Sequence, residues 1–67
     1  MNRQAFNDRV EAYTIRASQL FPGSATFTKK ELAEISGRAY STLCNSNRYR
    51  FPSRRISIKE FIRMEMS

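Results

Sequence analysis

The stretch from Phe27 to Leu43 constrains this chain more than any other. Thr28 followed by Glu31 is a capping box: the threonine hydroxyl can accept from the Glu31 amide while the glutamate reaches back to the Thr28 amide. Two of the donors that every helix start leaves unpaired are thereby satisfied. Phe27 precedes the cap and Leu32 takes the fourth helical position, which is the arrangement of a hydrophobic staple. Leu32 and Ile35 mark one helical face, with Ala33 beside it. Gly37 ends the helix, because glycine enters the left-handed region without a Cβ penalty. A second short helix is expected from about Ala39 to Asn47, with Leu43 as its inward anchor.

Ala33 and Gly37 are four residues apart, and Leu43 lies ten beyond Ala33. Two helices that cross closely need a small residue at the crossing and a tight turn between them. A leucine then pins the second helix so that its other face can meet a groove of DNA. The layout is that of a helix-turn-helix, although a helical hairpin with a structural role alone shares it. The run Leu32-Ala33-x-x-x-Gly37-x-x-x-x-Thr42-Leu43 resembles the start of MerR-type DNA-binding domains, and it is similar to the small phage excisionase and AlpA-like regulators. The resemblance covers roughly residues 27 to 63. In those families an apolar residue usually follows the glycine, where this chain has Arg38. The resemblance implies an all-α, small helix-turn-helix domain that binds double-stranded DNA. Its role would be a transcriptional regulator or an excisionase-like architectural protein of phage or mobile-element origin.

The rest of the chain reads as one domain over residues 1 to 67. Phe6, Val10, Tyr13, Ala17 and Leu20 draw an apolar stripe over a helix at 3–20, with Asn2 as its cap and Pro22-Gly23 as its stop. This helix lies outside the resemblance. Ile15 is nearly opposite Phe6, so the helix can also serve as a dimer seam. Between the second helix of the motif and the last helix, Tyr49 and Phe51 alternate with Arg48 and Arg50 before Pro52-Ser53. That is a strand period followed by a turn signal, so residues 48–56 read either as a short wing or as an irregular loop. AlpA-like regulators carry a similar arginine-rich connection, often with a Phe-Pro pair, but a longer one. Ser57 and Glu60 form a second capping box and Ile56 and Phe61 a second staple, opening a helix at 57–65. Phe61 and Ile62 point to the core, with Met64 or Glu65 near the end of the fold, and Met64 and Met66 read as a frayed terminus.

Charge narrows the function. The chain carries a net +6, and from Arg38 to Arg55 there are five arginines and no acid. Residues 1 to 27 hold three arginines against Asp8 and Glu11. A basic surface kept for solubility would be spread evenly, whereas this charge gathers beside the expected reading helix. Arginine's planar fork suits phosphate and guanine. The candidate DNA-binding residues are therefore Arg38, Tyr40, Ser41, Cys44, Asn45, Arg48, Arg50, Arg54 and Arg55. Asn45 has the groups to pair bidentately with adenine. Cys44 reads as a small, half-buried side chain rather than a reactive thiol.

Enzyme chemistry has little to work with. There is no histidine, Cys44 is the lone cysteine, and Glu31 and Glu60 are used as caps. No cofactor and no metal are expected. No apolar run approaches a membrane span, so a cytoplasmic protein is expected. Sixty-seven residues make a small core. A domain of that size reaches few base pairs, which suggests a homodimer or cooperative binding on DNA. The competing class is a protein-binding antagonist of another regulator built on the same scaffold. Such an antagonist would more naturally be acidic, which the clustered arginines speak against.

Overall fold

In a computed structural model that describes residues 3–66, Thr28 opens a helix in the expected way. Its backbone is extended (φ −77°, ψ 168°), its Oγ1 accepts from the Glu31 amide at 3.2 Å, and its own amide donates to Glu31 Oε1 at 2.9 Å. Phe27 and Leu32, the two ends of the staple, are both buried. The order of elements is α1 (Arg3–Leu20), α2 (Lys29–Ser36), α3 (Tyr40–Asn45) and α4 (Ile58–Met66). The fold is all-α, and none of its described helices is long and apolar enough to cross a membrane.

Gly37 ends α2 at φ 76° and ψ 15°, and the Arg38 amide closes back onto the Ala33 carbonyl at 3.0 Å. A Cβ at Gly37 would meet nothing within 4 Å, so the requirement for glycine is one of backbone angle alone. α3 is shorter than the expected span to Asn47. The Thr42 amide bonds the Ala39 carbonyl at 3.1 Å to start it, and Ser46 leaves it at ψ 133°. Ser46 Oγ then accepts from the Arg48 amide at 3.2 Å. Serine and asparagine offer the backbone such local bonds in place of helix, which is why the run Asn45-Ser46-Asn47 stops it.

α1 packs on α4 and α2, and α3 packs on α2. Leu32, Ile35, Leu43, Phe61 and Ile62 are buried at the centre. On α1, Ala17 is buried and Phe6, Val10 and Tyr13 are partly so, as the stripe predicts. Leu20 corrects that stripe, being 42% exposed. The inward place there goes to Phe21, whose ring lies 6.3 Å from that of Phe27 as the chain turns toward Pro22 and Gly23. Ile15 is 54% exposed. The cap expected at Asn2 lies outside the described residues.

The possible wing at 48–56 is not formed. The segment is a loop, and no strand is formed among the described residues. The pairing here is a single antiparallel bridge in which Phe27 and Ile56 exchange both backbone bonds, at 2.9 and 3.0 Å. The alternation of aromatics and arginines has a different cause from a pleat. Tyr49 is buried and stacks on Phe61 at 5.3 Å, while Phe51 meets the same ring edge-on at 6.5 Å. Both aromatics cover one buried ring. α4 opens with the Glu60 amide on Ser57 Oγ at 3.3 Å. It stays helical through Met66, and Met64 and Met66 pack against the core rather than fraying.

Candidate nucleic-acid interface

Leu43 is the one residue of α3 that is buried, and this decides what the helix shows to its surroundings. Tyr40, Ser41, Cys44 and Asn45 are all exposed, as is Thr42. The outward face is therefore almost wholly hydrogen-bonding, with donors and acceptors on short stems. Cys44 is exposed, not half-buried, because the six-residue helix offers only one inward position. A side-chain hydrogen bond with Cys44 raises the Tyr40 hydroxyl above its ordinary pKa, so it remains a neutral donor and acceptor.

The five arginines from 38 to 55 divide by what already holds them. Arg38 donates from Nε to Glu65 Oε2 at 2.6 Å, a bond that raises the guanidinium pKa. Arg48 donates from Nη1 to the Glu65 carbonyl at 3.3 Å, satisfying an acceptor in the last turn of α4. Arg55 spans two segments: it donates to the Thr26 hydroxyl at 3.2 Å and the Thr26 carbonyl at 2.8 Å, and lies 3.5 Å from Glu31 Oε1. Arg50 and Arg54 are exposed and make no hydrogen bond or ion pair among the described residues. The expected interface is thus partly engaged from within: Arg50 and Arg54 are open, while Arg38, Arg48 and Arg55 are fixed by intramolecular bonds.

Glu65 is the residue that sequence reasoning placed near the core but did not use. Its side chain is 1% exposed. Oε1 accepts from Tyr13 Oη at 3.0 Å and from Arg9 Nη1 at 3.5 Å. Oε2 accepts from Arg38 Nε and, at 3.4 Å, from Tyr49 Oη. A buried carboxylate is tolerable only with such partners. Burial first, and then the Glu65 charge, raise the pKa of both Tyr13 and Tyr49, so both phenols stay protonated donors. The signal for Glu65 was present in the spacing: it follows Ile58, Phe61 and Ile62 at helical intervals on the inward stripe.

Neither a protein-family model, nor a curated protein, nor a solved structure matches this chain.

Proposed function

We propose that this chain is a helix-turn-helix DNA-binding protein of the MerR, AlpA and excisionase kind. It would act as a transcriptional regulator or as an architectural protein that bends DNA, and not as an enzyme. α2, Gly37 and α3 form the motif, and α3 is the reading helix. One observation carries this reading. The exposed hydrogen-bonding face of α3 stands within a segment of five arginines and no acid. Asn45 is the best candidate for a bidentate adenine contact, with Tyr40 and Ser41 meeting bases or adjacent phosphates. Arg50 and Arg54 meet phosphate, which positions the domain without specifying sequence.

The fold of the described residues extends 29 × 27 × 20 Å, on the scale of a single helical turn of DNA at about 34 Å. Two copies, as a dimer or side by side, would lengthen the site. The exposed Ile15 on α1 is a candidate contact between them.

The test is titration of the protein with the duplex flanking its own gene and with random duplex, across a salt series. Arg54→Ala should weaken both duplexes together and flatten the salt slope by about 0.9. Asn45→Ala should narrow the gap between them, by about 1–3 kcal/mol at one base position. A parent protein that binds neither duplex at physiological salt would sink this reading and bring forward the protein-partner alternative.

A further inference from the structure

The three arginines around Glu65 are more than the burial of one acid requires. The two tyrosine hydroxyls already supply one donor to each carboxylate oxygen. Arg9 and Arg38 add their charges to that carboxylate, and Arg48 adds a third at the backbone carbonyl of the same residue. Three cations against one anion leave a formal excess of two positive charges gathered at one residue. The acid lies inside and the cations outside: the side chains of Arg9 and Arg38 are 45% and 43% exposed, against 1% for Glu65.

Geometry turns this excess into a site. Arg38 holds Glu65 with Nε, so its two terminal amino groups are not used in that bond. Arg9 and Arg48 each engage Glu65 through Nη1 alone. The rotamer freedom of such long side chains is a large part of the cost of binding, and here it is already reduced. A planar fork held in this way suits the paired oxygens of a phosphodiester. Asp8, the acid beside Arg9, accepts from Gln4 at 2.9 Å.

We infer that Arg9, Arg38 and Arg48 form one phosphate-binding site, fixed by Glu65, that extends the DNA contact from α3 onto α1. This rests on the DNA-binding reading above. Glu65 is a positioning residue: it touches no phosphate and acts through the arginines it holds. The occupant is a backbone phosphate of duplex DNA.

The experiment uses the full chain, random duplex across a salt series, and inorganic phosphate followed on arginine Nε–Hε resonances. Phosphate should move the Arg9, Arg38 and Arg48 signals along a single saturation curve. Arg9→Ala should flatten the duplex salt slope by about 0.9, although Arg9 lies far from α3 in sequence. Arg38→Lys keeps the charge but cannot both hold Glu65 and present a fork, so duplex affinity should fall about tenfold, the scale of one lost charge-assisted hydrogen bond. Glu65→Gln separates positioning from plain charge. It makes the chain more basic by one charge, so an unstructured basic patch would bind more tightly, whereas a site that depends on Glu65 binds more weakly. If Glu65→Gln does not fold, the Arg9 and Arg38 variants decide. A parent that binds no duplex overturns both this site and the function it rests on. A parent that binds duplex normally while Arg9→Ala leaves the slope unchanged overturns this site alone.

Discussion

The α1–α4 side of the molecule and its α3 side use the same kinds of residue to opposite ends. Where α1 meets α4, Tyr13, Tyr49, Arg9 and Arg38 converge on the buried carboxylate of Glu65. Along α3 and the loop that follows it, Tyr40, Ser41, Asn45, Arg50 and Arg54 face solvent, and a single leucine ties the helix to the rest. The contrast shows that arginine content alone is a poor guide to a binding surface in a chain this small. What matters is which N–H groups of each guanidinium are already bonded and which are left open. It also shows a division of labour: the bonded side sets the frame, and the open side is cheap to leave unpaired because water satisfies it.

The largest effect should come from the frame. Phe61 is fully buried under Tyr13, Tyr49 and Phe51, so Phe61→Ala should cost about 3–5 kcal/mol in a denaturant melt. A loss below 1 kcal/mol would mean that the aromatic cluster is not the centre of the fold. Next comes the joint between the two sides. A Cβ at Gly37 meets nothing within 4 Å, so the cost expected of Gly37→Val is that of a β-branched residue at positive φ, roughly 1–3 kcal/mol. A variant that melts with the parent would show that the α2–α3 turn can be rebuilt without glycine.

The frame should also weaken at high pH. Tyr13 and Tyr49 have pKa values raised above the ordinary 10.0. Their contribution is fully present below that value, and it is lost as pH rises through the higher folded values, because the unfolded chain gives up its phenolic protons first. Stability measured from pH 8 to 11 should therefore fall beyond about pH 10. Tyr49→Phe should reduce this dependence, and an unchanged profile would remove Tyr49 from it. The smallest effect on stability belongs to the open face: Arg50→Ala should change it by less than about 0.5 kcal/mol. If Arg50→Ala destabilises as Gly37→Val does, the loop is part of the frame and the comparison breaks down.

Local chemistry was legible in the sequence, and long-range pairing was not. Thr28 and Glu31 act within one turn of each other, and Gly37 closes back onto Ala33 four residues away, so the residues that decide each helix end are neighbours in the chain. The buried positions of Leu32, Ile35 and Leu43 followed from helical spacing alone. The alternation of Tyr49 and Phe51 left wing and loop open, because it reports that two side chains share a side without saying whether a strand or a single ring draws them there. Leu20 failed because a stripe does not show where the core ends. The partners of Arg38 and Arg55 could not be read at all, since Glu65 and Thr26 stand 27 and 29 residues away.

The position of Glu65 also has a consequence for the order of folding. Its side-chain partners lie 56, 52, 27 and 16 residues away, whereas the capping box of α2 closes over 3. Loops of that length close slowly compared with a helical turn, even though each doubling adds only about 0.6 kcal/mol of entropic cost. During synthesis α2 and α3 are complete before α4 exists, so their local structure can form while α1 still lacks one of the two helices it packs on. We predict that the carboxylate cluster forms after the main folding barrier, and that Glu65→Gln therefore accelerates unfolding while leaving the refolding rate close to the parent's. Stopped-flow rates showing the reverse would put the cluster in the nucleus.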